Sequence, residues 1–276
     1  MKTFLKSFGL VATLLLAGCT RQPQSALESA AADEDTMYQV ALLQSLMLGD
    51  FDGSVRLDDL LRQGDFGLGT FQDVAGEMVV LDGKVYQCNG DGTVTEPAAD
   101  MTTPFANVTH FNTDLSAKIA GTTDMASFLS ALEKAITDSG FPLSTMYAVK
   151  ASGHFTHVSA RSILPQQKPF PTLQDAMTKD QQFFSFDEVD GTLVGFFFPA
   201  YVSSVNTTGW HFHFISDDRT RGGHVLEVRV PATGVTVEAD RTDRLTMDIP
   251  TDSEGFSSLD FSADLKRAIR EVESGE

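Results

Sequence analysis

The sequence predicts an α+β fold of mixed and antiparallel β-sheets with few helices, carrying a metal site on a β-hairpin. Three observations predict it. First, short apolar runs that read as strands outnumber helical stretches, and turn dipeptides join many of them. Second, only residues 124–137 show a clear amphipathic helix, with Phe128, Leu129, Leu132 and Ile136 on one stripe. Third, three of the six histidines fall together as His211-Phe212-His213, then a polar, glycine-closed turn, then His224. Residues two apart on a strand share a face, so His211 and His213 project together. The turn can return His224 beside them. Three neutral imidazoles suit a divalent metal, Zn²⁺ above all, and three protein ligands leave a coordination position open. Spacing alone leaves another reading open, in which these are hydrogen-bonded polar residues of an ordinary hairpin.

The elements follow in order. Lys2 and Lys6 precede a short apolar run, residues 9–16, too short to span a bilayer as a mature helix. It ends in Leu16-Ala17-Gly18-Cys19, which resembles a bacterial lipoprotein cleavage box. Residues 1–18 are therefore expected to be a signal peptide and Cys19 the lipidated first residue of an exported, envelope-anchored chain. Residues 19–36 are expected to be a flexible tether, because they are polar, small and acidic without apolar periodicity. The chain has two cysteines, so Cys88 then has no intramolecular disulfide partner and reads as a packed small residue. The net charge of −18 argues against nucleic acid or an anionic membrane surface as partner, since both require basic surface.

Residues 37–48 are apolar with helical or extended potential. Ser54 reads as the N-cap of a short helix over 55–61. The glycine-rich stretch 64–71 lacks the Lys-Ser/Thr of a phosphate loop. Asp82-Gly83 between two apolar runs predicts a two-residue hairpin, and Asp91-Gly92 a second turn. After the helix, Gly140 and Pro142 stop it, and 143–150 and 154–163 read as paired strands. Pro165, Pro169 and Pro171 follow, so a split into two subdomains is expected near 141–171 within one domain over 37–276. Residues 173–177 suggest a short helix, 183–189 and 192–198 a hairpin at Asp190-Gly191, and 262–273 a terminal helix.

Several ordered stretches together resemble one family: GDFGLGTF at 64–71, GEMVVLDGKVYQ at 76–87, TPFANVTHF at 103–111, ARSILPQQKPFP at 160–171, DGTLVGFFFPAY at 190–201 and HFHFISDDRTRGGHVL at 211–226. The resemblance is to α-acetolactate decarboxylase, over nearly all of the mature chain. The chain departs from the family's usual pattern at Phe196-Phe197-Phe198, at Thr207-Thr208 and at Ile163-Leu164-Pro165, which bears on pocket shape and leaves the three histidines untouched.

The resemblance implies a two-domain α/β fold in the family's terms, a homodimer, and a zinc enzyme with His211, His213 and His224 as ligands. It implies functional roles for Thr70, Glu77, Arg161 and Glu273, with Glu271 as the fallback for the last. The implied substrate is 2-acetolactate, converted to (R)-acetoin and CO₂. Its carboxylate is β to a ketone, so loss of CO₂ leaves an enediolate, and a divalent ion at the ketone oxygen serves as electron sink without pyridoxal or thiamine. Arg161 then positions the carboxylate. A glutamate, Glu77 or Glu273, takes the hydroxyl proton, and Arg161 or the other glutamate returns one to carbon. Two rivals remain. A cupin-like metal-dependent oxygenase also begins its site with His-x-His, but wants an acidic ligand soon after and a further His on a distant strand, whereas here the third His follows within one turn and none comes after His224. A non-enzymatic metal-binding lipoprotein would bind zinc and form no acetoin.

Overall fold

Alternating apolar residues build two large sheets here, beside a small two-stranded pair of Val55–Arg56 with Thr102–Thr103, and the few helices cover what the sheets leave open. The computed structural model describes residues 35–203, 205–262 and 265–274. The expected signal peptide, Cys19 and the tether up to residue 34 lie outside the described residues. The chain opens with β1 (Thr36–Val40), α1 (Leu43–Met47), β2 (Val55–Arg56), α2 (Leu57–Leu60) and β3 (Phe66–Thr70). Next come β4 (Glu77–Leu81), β5 (Lys84–Cys88), β6 (Val94–Thr95), β7 (Thr102–Thr103), β8 (Ala106–Thr109) and β9 (Leu115–Ile119). Then follow α3 (Met125–Asp138), β10 (Met146–Ile163), α4 (Leu173–Asp180), β11 (Gln181–Phe198), β12 (Gly209–Ser216) and β13 (Gly222–Arg229). β14 (Val235–Thr242), β15 (Arg244–Asp248), α5 (Glu254–Ser257) and α6 (Lys266–Ser274) close it.

One sheet has seven strands in the order β15-β1-β8-β3-β4-β5-β6. It is mixed, because β1 pairs parallel with β15 and antiparallel with β8. The other has six strands, β11-β12-β13-β10-β14-β9, and β11 also pairs with β10, so this sheet closes on itself. The α+β class with few helices is what the alternation of apolar residues predicts. Between the sheets, Met37, Phe66, Leu68 and Val79 pack with Met146, Val194 and Phe196. On the far face of the second sheet, α3 buries Phe128, Leu132 and Ile136 completely. Its N-terminus is a capping box in which Asp124 accepts from the Ser127 N–H. A further apolar cluster joins α1, α4 and α6 through Leu43, Leu46, Leu173, Met177 and Val272.

The Asp82-Gly83 hairpin forms, with φ of 52° and 73° at its two central residues, as a type I′ turn requires. Three local expectations fail. Ser54 caps nothing: α2 starts at Leu57, its N-cap position is Arg56, and no side chain caps it. Residues 143–150 and 154–163 are not two paired strands but parts of one strand, β10, which begins at Met146 and passes through Gly153. Asp190-Gly191 is not a turn either, because β11 runs straight through it. The reason for both is a single long antiparallel ladder between β10 and β11, from Tyr147↔Phe197 to Ile163↔Gln181, in which Gly153 faces Gly191. That many cross-strand bonds outweigh a two-residue turn preference. The stretch 141–171 holds β10 and the prolines that lead to α4.

Candidate active site

The histidine hairpin forms with His213 directly opposite His224 across β12 and β13. His224 in turn lies opposite Arg161 on β10. Directly opposed residues of antiparallel strands share a face, so one row of the sheet carries His213, His224 and Arg161, with His211 two residues along. The three ligand atoms lie within 4.8 Å of one another. His211 Nε2 stands 3.2 Å from His213 Nε2 and 3.0 Å from His224 Nδ1.

The remaining nitrogens decide which atoms carry lone pairs. His213 Nδ1 lies 2.7 Å from the Met78 carbonyl, and His224 Nε2 lies 3.0 Å from the Glu273 carbonyl. A carbonyl only accepts, so both of these nitrogens are protonated donors, and His213 Nε2 and His224 Nδ1 turn lone pairs inward. His211 Nδ1 faces the Glu273 carboxylate at 3.5 Å. For His213 and His224 these carbonyls are the outer support that metal-binding imidazoles require. Burial keeps all three rings neutral. It pushes His211 down to about 3, with Arg161 adding to the effect, and holds His213 and His224 well below the ordinary histidine range. Buried, neutral, convergent nitrogens on a rigid hairpin fit a divalent metal ion.

The other side chains singled out by sequence gather in the same cavity. Thr70, Glu77, Arg161, Glu273 and the three histidines all line it. Glu77 on β4 lies 3.5 Å from Arg161 Nη1 and 3.5 Å from His213 Nε2. Arg161 donates through Nη2 to the Val272 carbonyl at 2.7 Å and through Nη1 to Met177 Sδ at 3.5 Å. Its Nε, although buried, has no hydrogen-bond acceptor, and Glu273 Oε2 likewise has no donor. Burial raises Glu77 to about 7, opposed by Arg161 and reinforced by Glu273, and raises Glu273 to about 7 against the pull of Arg161. Thr70 donates its hydroxyl to the Gly76 carbonyl at 2.8 Å, which ties the turn before β4 and so sets where Glu77 begins.

Glu271, the fallback, points elsewhere: it accepts from Arg267 Nε at 2.6 Å and from Gln174 Nε2 at 2.8 Å. Asp218 is a turn residue, accepting from Ser216 and Thr220. His154 and His157 pair on the surface with Asp190, Glu188 and Asp187. Sequence reasoning missed the carbonyls of Met78 and Val272 and the apolar wall built by α1 and α4. Backbone acceptors leave no trace in residue identity. The wall left one, since Leu173 and Met177 are spaced i, i+4 on one helix face.

Residues 37–263 match the family model of alpha-acetolactate decarboxylase. That match stops short of α6, so the placement of Glu273 rests on the cavity itself. The chain is 39% identical over 240 residues to the alpha-acetolactate decarboxylase of Methanosarcina mazei, covering 87% of this chain and 80% of that one. Over 218 residues it is 36% identical to the enzyme of the same name from Brevibacillus brevis, covering 79% and 75%. The crystal structure of alpha-acetolactate decarboxylase from Bacillus subtilis superposes with a TM-score of 0.80 at 30% identity, covering 87% of this chain and all of that one.

Proposed function

Because the chain belongs to the alpha-acetolactate decarboxylase family and is a carboxy-lyase, we propose that it converts 2-acetolactate to (R)-acetoin and CO₂ with Zn²⁺ held by His211, His213 and His224. The observation that carries this reading is the one cavity in which the three convergent imidazoles meet Arg161, Glu77 and Glu273. A buried guanidinium lining that cavity suits a carboxylate that the substrate brings. When bound, Zn²⁺ supplies Lewis acidity at the ketone, where negative charge gathers as CO₂ leaves.

The chain's own groups do the rest. Arg161 is charged at any working pH, and its planar guanidinium offers a carboxylate a directional partner. Its Met177 and Val272 contacts hold that plane in place. Burial of Arg161 and Glu77 strengthens each such contact relative to water. Glu77 and Glu273, both raised to about 7, sit poised to take and return a proton near neutral pH. One accepts the substrate's hydroxyl proton. The C–C bond to the carboxylate breaks and its electron pair stays on the organic fragment; one proton is then added at that carbon and the deprotonated oxygen regains its own, giving acetoin. The two carboxyls share one cavity, so their protons belong to the pair. The site's supporting carbonyls and the absence of cysteine among the ligating groups favour Zn²⁺ bound by nitrogen donors alone.

The test is a colorimetric acetoin assay on purified protein with and without chelator. Acetoin formed from 2-acetolactate, lost with chelator and restored by Zn²⁺, supports the reading. Tight zinc binding without acetoin would favour the metal-binding lipoprotein, and dioxygen uptake the oxygenase. We further propose an exported chain anchored through a lipid on Cys19, and a homodimer. A Cys19→Ser variant released from the membrane fraction, and light scattering at twice the chain mass, are the corresponding expectations.

A further inference from the structure

We infer that Met177 sets the size of the alkyl group this enzyme accepts on the carbon that loses its carboxylate. The inference rests on the reading of Arg161 as the carboxylate's partner.

Two kinds of surface line the cavity. One is polar: the histidines, Glu77, Glu273 and Arg161. The other is an apolar wall in which α1 contributes Leu43 and Leu46 and α4 contributes Leu173 and Met177. Within that wall Met177 has a distinct position. It is buried, it lines the cavity, and its Sδ accepts from Arg161 Nη1 at 3.5 Å. The rest is connectivity. In a 2-alkyl-2-hydroxy-3-oxo acid the carboxylate and the alkyl group branch from the same tetrahedral carbon. Anchoring the carboxylate on Arg161 therefore brings the alkyl group to whatever packs beside the guanidinium. The hydroxyl, the ketone and the reacting carbon are claimed by the polar side. The alkyl branch is left to the apolar side, where Met177 meets Arg161 with its side chain and Val272 meets it with its backbone carbonyl. Methionine has three rotatable bonds and fills irregular space, so it can seat a methyl group closely while leaving little room for a longer chain.

The experiment compares kcat/KM for 2-acetolactate and for its 2-ethyl homologue in wild type, Met177→Ala, Met177→Leu and Met47→Ala. One methylene in an apolar pocket changes kcat/KM by roughly 10- to 200-fold. Met177→Ala is expected to raise the ethyl-to-methyl ratio about ten-fold or more, and Met177→Leu, of similar volume, to leave it within about two-fold. Met47 belongs to the same apolar cluster but does not line the cavity. Its truncation should lower stability without moving the ratio. If Met177→Ala does not fold, Met177→Val replaces it, with a smaller rise expected. An unmoved ratio in the Ala or Val variant, or an equal shift in Met47→Ala, overturns the inference while wild-type activity on 2-acetolactate keeps the functional reading intact. A wild type inactive on 2-acetolactate overturns both.

Discussion

Replacing Gly223 by alanine should disable the metal site without touching a ligand. Gly223 precedes His224 on β13 and has φ +146°, a conformation that side chains other than glycine's rarely adopt. A Cβ built there stands 2.6 Å from the Arg161 carbonyl oxygen and 3.4 Å from Ala160 Cβ. Ordinary contact begins at 3.4 Å, so the methyl is 0.8 Å too close to a backbone atom that cannot rotate away. β13 must separate from β10 at the point where His224 faces Arg161. The backbone strain alone is of the order of 1–3 kcal/mol. Functional sites tolerate about 0.5 Å, and a misplacement near 1 Å costs roughly 100-fold. Zinc affinity, read by competition with a chromophoric chelator, should fall by about ten-fold or more, within the range seen when ligand support is lost, and turnover by about 100-fold. Gly83→Ala separates strain from displacement, because Gly83 has φ +73° but nothing within 4 Å of the added Cβ. It should lower the melting temperature and leave zinc affinity unchanged. A Gly223→Ala protein with wild-type zinc affinity and turnover would refute the reasoning.

Other outcomes follow from the same geometry. His211→Ala, His213→Ala and His224→Ala should each lose bound metal by elemental analysis, and a variant that kept both its metal and full acetoin production would remove its histidine from the ligand set. Glu77→Gln, Arg161→Lys and Glu273→Gln should each lower turnover by about 100-fold or more while metal stays bound. A loss confined to metal content would instead assign that residue to supporting a ligand. Away from the site, Asp240 is buried, its Oδ1 has no partner, and burial raises it to about 7. Its folded value lies above its unfolded one, so the stability it contributes is complete below about pH 3.8 and is lost as pH rises through 7. Asp240→Asn should therefore gain stability relative to wild type as pH increases across that window. Denaturant midpoints that track wild type at every pH would contradict this.

Much of the fold was legible because its signals are local. Asp82-Gly83 forms its hairpin, and α3 buries the stripe that its period marks out. The histidine site was legible for the same reason, since a two-residue period and a short turn place His211, His213 and His224 together. Ser54 and Asp190-Gly191 misled because their turn and cap signals are weak beside tertiary pairing. The family resemblance pointed to Arg161, Glu77 and Glu273, whose residue types alone looked like surface charges.

By itself, then, the sequence determined the Asp82-Gly83 hairpin, the helix α3 and the convergence of three imidazoles, each of which follows from spacing within its own short segment. Tertiary structure decided what surrounds them. Glu271 and Glu273 differ by two positions, and only the seating of α6 turns Glu273 toward His211 and Glu271 toward Gln174. Arg161 is held by the carbonyl of Val272, 111 residues away, and His213 by that of Met78, 135 residues away. Such supports are backbone atoms brought in by packing. Every residue carries the same carbonyl, so no side-chain pattern could have announced which ones would serve.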